Sequence, residues 1–289
     1  MLDLFFGPYA LTLLFLVAIN VTLAGSLNLI TGYGGQVSIG HVAFYAVGAY
    51  TAAILSTAWG WSFWLTLPAA VVVSFAAGVL IGAPSLRVEH DFLAIVTLGL
   101  GLVVQGLALN LEVTGGPYGI SNVRRIAVLG RTLGPWGHAA LAVGLAGLTL
   151  FLVHRIQGSR VGTALLAIRE DALAAEVTGI ETARYKVLAF ALGGTFAGAA
   201  GALYAHYATF VSSDSFDLAA SISMLAMAVV GGLGTRLGPL VGAVLLTLVP
   251  ELMRFTAEYR MVLYGLMLVV MMRCLPRGLL GRSAIRTGG

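Results

Sequence analysis

Apolar residues run through this chain in long segments that are separated by short polar connections. A helix needs roughly 20 apolar residues to cross a hydrocarbon core of about 30 Å. Nine segments meet or nearly meet that length: 9–30, 39–58, 63–83, 92–111, 135–154, 185–207, 218–233, 237–255 and 261–275. The pattern predicts an all-α, polytopic membrane bundle of about nine transmembrane helices, within a range of about eight to ten, which forms one domain over residues 1–289.

Glycine interrupts two of these segments, in the stretches TGYGGQVSIGH (31–41) and VVGGLGTRLGP (229–239). Non-helical backbone at membrane depth is tolerated only where protein or a water-filled cavity surrounds it. Both stretches are therefore predicted to be broken helices. Small residues also recur four apart, as in Gly78 and Gly82 or Gly194 and Gly198, and this spacing predicts close helix packing.

A polar connection at 155–184 differs from an ordinary loop. Its stretch VGTALLAIREDALAAEVTGI (161–180) has no proline, and its apolar residues follow helical spacing. Those residues are Val161, Leu165, Ile168, Ala172 and Ala175. We predict a short amphipathic helix, a break near Glu170 and Asp171, and a second helix that ends at Gly179. Membrane proteins use such an elbow to receive force from a soluble partner, whereas the simpler interpretation is a solvated loop.

Composition supports a membrane location. Hydrophobic residues make up 59% of the chain, charged residues 10%, and the mean hydropathy is +0.96, whereas soluble domains are about 25% charged.

The formal charge of +4 lies in short connections, so it reports orientation rather than nucleic-acid binding. The basic residues of 155–186 and of the C-terminus are expected on the cytoplasmic side, with four spans between them. Arg124, Arg125 and Arg131 then lie outside, against the usual tendency. The N-terminal segment is expected to be a retained span rather than a signal peptide, and it starts outside if the first five spans all cross.

The motifs of catalysis are missing from the sequence. Its only lysine, Lys186, follows Tyr185, so there is no P-loop, and the five histidines have no zinc-site spacing. No enzymatic activity, metal site or bound cofactor is expected. A secondary carrier usually keeps an ionisable residue deep in the membrane, but the carboxylates lie at predicted span ends, and His41 and His206 are the nearest candidates. A channel element powered by another protein is therefore favoured over a stand-alone carrier or facilitator.

Seven segments in order along the chain resemble a known family. Three of them are LNLITGYGGQVSIGHVAFYAVGAY from Leu27, AIREDALAAEVTGIETARYKVLAF from Ala167 and AMAVVGGLGTRLGPLVGAVLL from Ala226, and the specific parts are TGYGGQVSIGH and the motif from Arg169 to Gly179. The others are DFLAIVTLG, TGGPYGI, GALYAHY and YGLMLVVMMRCLPRGLLG. These segments are similar to the branched-chain amino acid permeases of bacterial ABC importers, of the LivM type.

The resemblance implies a subunit that translocates branched-chain or related amino acids across the bacterial cytoplasmic (inner) membrane. It also implies a LivH-like second permease, two LivG/LivF-like ATPase subunits that bind the ATP, and an extracytoplasmic solute-binding protein. No nucleic acid is expected. Family members also carry urea and other small amides, so a urea or amide permease remains an alternative within the family.

The resemblance also assigns a coupling role to the elbow, which would dock on an ATPase subunit. The residues expected to carry this coupling are Arg169, Glu170, Asp171, Ala175, Glu176 and Gly179.

The path of the substrate is expected near the glycine breaks, because transporter sites commonly form at interrupted helices in the two halves of the fold. The candidates are Thr31, Gly34, Gln36, Ser38 and His41, with Thr97 and Gln105 as weaker ones. For each of them singly, a structural hydrogen bond is an equally good interpretation.

Overall fold

The structure, a computed structural model, describes residues 7–84, 90–128 and 130–252, together with residues 265, 269, 273 and 278–281. The α-helices in this part of the chain are α1 (Pro8–Leu27), α2 (Val42–Ala58), α3 (Phe63–Gly82), α4 (His90–Asn110), α5 (Pro135–Gln157), α6 (Arg160–Glu170), α7 (Ala172–Val177), α8 (Thr182–Ala208), α9 (Leu218–Gly231) and α10 (Gly238–Leu252). A π-helical turn, Asn28–Tyr33, continues α1, and short 3-10 turns lie at Glu112–Thr114, Gly116–Tyr118 and Ser213–Phe216.

The long helices follow the apolar runs of the sequence. Six of the described helices are long and apolar enough to cross a membrane, and two shorter apolar helices, Val42–Ala58 and Gly238–Val249, add to them. The predicted all-α membrane bundle is confirmed at this level. The ninth predicted span, 261–275, lies almost wholly outside the described residues, so the total of nine stays a prediction.

Helix α8 occupies the centre of the bundle, where it packs against α1, α2 and α3. Glycine makes this packing possible, because a Cβ on Gly78 of α3 would lie 2.6 Å from the Cα of Ala191 in α8. Similarly, a Cβ on Gly194 would lie 2.9 Å from the carbonyl oxygen of Ser74. The prediction that the four-residue spacings mark packing faces is confirmed for these helices.

The bundle has two distinct ends. Helices α6 and α7 lie between the end of α5 and the start of α8, and we call this side the elbow end. At the opposite end, β1 (Ile120–Ser121) pairs antiparallel with β4 (Phe210–Val211), and β2 (Ala127–Val128) pairs with β3 (Arg131–Thr132). The pairing of β1 with β4 joins the connection between α4 and α5 to the connection between α8 and α9.

His206 and His41 are both hydrogen-bonded within the bundle. His206 joins the connection at the opposite end to the helices, with its Nδ1 2.6 Å from the carbonyl oxygen of Arg124 and its Nε2 2.7 Å from Thr66 Oγ1. His41 Nε2 lies 2.7 Å from Ser26 Oγ. Both histidines thus make hydrogen bonds inside the bundle.

Candidate translocation path and coupling elbow

The first glycine stretch leaves the helix within the bundle. After the π-helical turn, the chain is non-helical from residue 34 to residue 41, which we call the first break. A Cβ on Gly34 would lie 2.6 Å from the carbonyl oxygen of Ile30, and Gly35 has φ +66°. Side chains other than glycine are strained in that conformation. Glycine at both positions therefore permits the backbone to leave the helix after the π-helical turn, and the predicted broken helix is confirmed at this position.

Neighbouring helices hold the backbone of the first break. The Ile39 N–H donates to Thr97 Oγ1 at 3.1 Å, and the Ser221 hydroxyl donates to the Ile39 carbonyl oxygen. Thr31 Oγ1 donates to the Gln36 carbonyl oxygen at 3.0 Å. Thr31 and Thr97, both predicted as path candidates, thus stabilise the shape of the break through hydrogen bonds.

The remaining polar side chains of the first break are buried but incompletely bonded. Gln36 and Ser38 are each 1% exposed, and His41 is fully buried. The described part of the chain contains no hydrogen-bond partner for four of their atoms. These atoms are Nε2 and Oε1 of Gln36, Oγ of Ser38 and Nδ1 of His41. Buried polar groups are normally paired, because an unpaired one costs about 1–3 kcal/mol. Such a concentration of unpaired groups is typical of a functional site.

Gln105 lies beside the first break on α4. It lines a narrow cleft with Ile39 and Gly40 on one side and Asp217 and Ser221 on the other. The structure therefore brings all seven path candidates into or against one segment. Asp217, which also caps the start of α9 through a bond from the Ala220 N–H at 2.8 Å, is a polar neighbour that the sequence analysis did not select.

The second glycine stretch, residues 231–238, is the second break. It turns at Gly232 and Gly234, which have φ +116° and +74°. Helix α10 then begins at Gly238, whose N–H donates to Thr235 Oγ1 at 3.1 Å. The second break contacts the π-helical turn that precedes the first break: Asn28 Oδ1 accepts from the Gly234 N–H at 2.8 Å. Their contact lies at the elbow end of the bundle, while residues 36–41 extend further in.

The elbow has the predicted helix–break–helix form. The hydroxyl of Ser159 accepts from the Val161 N–H and caps α6. Asp171 interrupts the helix with φ −156° and ψ 108°, and its carboxylate accepts from the N–H groups of Leu173 and Ala174. Gly179 ends the second helix with φ +89°. Aspartate at a helix start and left-handed glycine at a helix end are the residues that these positions favour.

One side of the elbow packs on the bundle and the other side is exposed. Leu165, Ile168 and Ala175 are buried. The exposed side also contains Arg169, Ala174, Thr178 and Gly179; we call five of its residues, Glu170, Asp171, Leu173, Glu176 and Val177, the outer face. Three of its members are acidic, and its apolar members are among the most exposed of the chain, with Leu173 77% and Val177 89% exposed.

Leu173 and Val177 were missed in the sequence analysis. Their signal is present in the sequence, since two apolar residues at i and i+4 lie off the stripe that contains Ile168, Ala172 and Ala175. Leu173 and Val177 on one side of this six-residue helix, with Ala172 and Ala175 on the other, indicate two packing surfaces.

Arg169 is also exposed, but its guanidinium reaches the bundle. Its Nη1 donates a hydrogen bond to the carbonyl oxygen of Gly32, at the end of the π-helical turn. It also lines a cavity of about 790 Å³ at the elbow end, together with Gln157, Thr235 and Arg236. Of the residues predicted for coupling, Glu170, Asp171 and Glu176 thus lie on the outer face, Ala175 and Gly179 shape the helix, and Arg169 contacts the breaks.

Comparison with protein families gives a match over residues 9–272 to the family described as the branched-chain amino acid transport system / permease component. The chain belongs to this family. It is one of transport components rather than of enzymes, and together with the apolar helices it makes this chain a multi-pass membrane protein.

Named relatives in the family extend over most of the chain. The high-affinity branched-chain amino acid transport system permease protein LivM of Salmonella typhimurium is 39% identical over 287 aligned residues, which cover 91% of this chain and 68% of that protein. The probable LivM permease of Methanocaldococcus jannaschii is 24% identical over 239 residues, which cover 77% of this chain and 69% of that protein. The Escherichia coli LivH permease is 30% identical over 140 residues, or 48% of this chain and 44% of that protein. No solved structure matches the chain.

Proposed function

We propose that this protein is the permease subunit of an ABC importer that moves branched-chain or related amino acids across the cytoplasmic membrane. The observation that carries the proposal is the elbow, a capped helix–break–helix that presents Leu173 and Val177 outward at one end of a membrane bundle. Exposed apolar side chains within an acidic surface are suited to a soluble partner that offers an apolar cleft with a basic rim. The family and the LivM relatives support the same function.

The energy for transport comes from separate ATPase subunits in this proposal. The sequence has no P-loop, so the chain cannot bind ATP by that motif. The outer face of the elbow docks on an ATPase subunit, and closure of the two ATPase subunits displaces α6 and α7. Since α5 and α8 continue from the two ends of the elbow, such a displacement reaches the core of the bundle directly.

A second permease completes the membrane unit. The partial similarity to LivH is consistent with a partner of related fold, and the pair encloses the path for the substrate. An extracytoplasmic binding protein delivers the amino acid at the opposite end of the bundle, where the paired connections lie. The elbow then faces the cytoplasm, and the transporter resides in the inner membrane.

The first break lines the path. Gln36, Ser38 and His41 offer hydrogen-bonding atoms that nothing in the described part of the chain satisfies. Amide, hydroxyl and imidazole groups can each bind the ammonium or carboxylate group of an amino acid weakly. Weak contacts are sufficient here, because the binding protein selects the substrate before the permease receives it.

Reconstitution tests this function. The chain is co-expressed with a LivH-like permease and the two ATPases, the complex is purified into proteoliposomes, and uptake of labelled leucine, isoleucine and valine is measured with the cognate binding protein. Uptake is expected only with ATP on the elbow side. Gradient-driven uptake by the purified single chain, without ATPases, would instead identify a secondary carrier.

A further inference from the structure

Arg169 connects the elbow to both glycine breaks. It lies in the last turn of α6, one residue before Glu170 and two before the interruption at Asp171. Its guanidinium donates to the carbonyl oxygen of Gly32, which belongs to the π-helical turn that precedes the first break. A hydrogen bond from a charged donor is generally stronger than one between neutral groups.

The glycines of the two breaks fit closely around the same side chain. A Cβ on Gly35 would lie 2.8 Å from Cγ of Arg169 and 3.2 Å from its Cα. A Cβ on Gly234 would lie 2.7 Å from its Nη1. The alkyl part of Arg169 therefore contacts the first break, and its guanidinium lies between the first break and the second.

Arg169 bonds to a backbone carbonyl at a helix end. No carboxylate pairs with it in the described ranges, where the ion pair found joins Arg184 to Glu181. Its partner Gly32 lies in the last turn of the π-helical extension of α1, which ends at Tyr33. The last carbonyl groups of a helix carry partial negative charge and favour a cation. Arg169 is thus bonded to the segment that precedes the first break and lies beside Gly234 of the second.

We propose that Arg169 is a positioning residue that transmits movement of the elbow to the first and second breaks, and so sets the conformation of the path-lining segment. The proposal rests on the proposed function, in which the elbow is moved by the ATPases. It gives Arg169 an intramolecular role, distinct from that of the outer-face residues that meet the ATPase. Movement of α6 changes the position of Gly32 and Gly35, from which Gln36 and Ser38 follow directly along the chain.

Hydrogen exchange tests the contact without any ATPase. The full chain, with its partner permease in lipid nanodiscs, is compared as wild type, Arg169→Met and Arg160→Met. Arg160 is an exposed arginine at the start of the same helix and serves as the matched control. The N–H groups of Gly34 and Gln36 bond to the carbonyl oxygens of Leu29 and Ile30. In Arg169→Met they are expected to exchange about tenfold faster, since a bond from a charged donor is lost. Unchanged protection of residues 32–41, or a uniform increase that includes α8, overturns the proposal.

The assembled transporter tests the transmission. With Arg169→Met, the ATPases are expected to co-purify at the wild-type level and to hydrolyse ATP, while uptake falls about tenfold or more, the factor that loss of one charged hydrogen bond allows. Arg169→Lys, which keeps the charge, is expected to retain more uptake than Arg169→Met. Release of the ATPases by Arg169→Met would show that Arg169 is a docking residue and would overturn the proposal. If the wild-type chain binds no ATPase, the proposed function fails, and the exchange measurement still decides the role of Arg169.

Discussion

The side-chain amide of Asn28 donates a hydrogen bond of 3.0 Å to the backbone carbonyl of Thr235, although 207 residues separate them. The same side chain accepts from the Gly234 N–H, so one buried residue at the end of α1 satisfies two backbone groups of the second break. Irregular backbone inside a membrane requires such partners, since lipid offers none.

Replacement of Asn28 by leucine is expected to destabilise the bundle by about 1–3 kcal/mol, because the change removes both hydrogen bonds and leaves two backbone groups unpaired. The measurement is the thermal unfolding of the purified protein in detergent. Asn110→Leu is the matched control. Asn110 is exposed and bonds within its own helix to Gly106, so its replacement should leave the melting temperature within about 1–2 °C. Equal melting temperatures for the two variants would contradict the structural role of Asn28.

Substitutions on the outer face of the elbow are expected to weaken binding of the ATPases without lowering the thermal stability of the protein. Leu173→Ser and Val177→Ser are expected to leave thermal stability nearly unchanged, because both side chains are exposed. Together they should reduce co-purification of the ATPases about tenfold or more, since apolar anchors dominate such contacts. Val113→Ser, at the opposite end and 69% exposed, is the control and should retain full assembly. Normal assembly of the Leu173→Ser, Val177→Ser variant would exclude this face as the docking surface.

The unpaired hydroxyls of Ser38 and Ser74 allow a test of the path. Both are buried and lack a hydrogen-bond partner within the described residues, but Ser38 lies in the first break and Ser74 lies between α3 and α8. In a background with Cys274→Ser, which removes the single cysteine, Ser38→Cys is expected to react with a small water-soluble thiol reagent during turnover. Ser74→Cys should stay unreactive. Uptake measured after modification should fall only for Ser38→Cys, and equal reactivity at the two positions would place the path elsewhere.

Gly179 tests whether the shape of the elbow matters for transport. No atom lies within 4 Å of a Cβ added there, so the effect of Gly179→Ala is conformational and not steric. Alanine in the left-handed region costs about 1–2 kcal/mol, and we expect the end of α7 to lose its fixed direction. Uptake should fall while membrane insertion and the fold of the bundle persist. Gly144→Ala, in helical conformation with the same open surroundings, should keep wild-type uptake.

Much of this architecture is predictable from local patterns. Apolar runs locate the helices because each span must be about 20 residues long, and Asp171 and Gly179 locate the ends of α7 because their preferences are strong and local. The interruption near Gly34 and Gly35 has an equally local signal, since glycine alone fits the close approach to Ile30 and the left-handed conformation found there.

The contacts between distant segments are not predictable in this way. Nothing near Asn28 indicates that it bonds to Thr235, and nothing near Arg169 distinguishes an arginine that bonds to the backbone of the bundle from one that contacts a partner. Helical spacing is enough to predict that Leu173 is exposed. Whether α7 has a second packing surface, however, depends on how it lies on the bundle. Pairing across the fold is a property of tertiary structure, and a single sequence carries no direct record of it.

The open backbone of residues 34–41 has a kinetic consequence. Rearrangement of a helical segment requires its own ladder of hydrogen bonds to be broken, which slows the change. In the first break, Ile39 instead makes one hydrogen bond to the side chain of Thr97 and one to the side chain of Ser221. In the proposed function, the shape of the first break is therefore expected to change with fewer hydrogen bonds broken than in a helix of the same length, while the surrounding helices keep their own bonds, which is suited to a gate that must cycle once for every molecule carried.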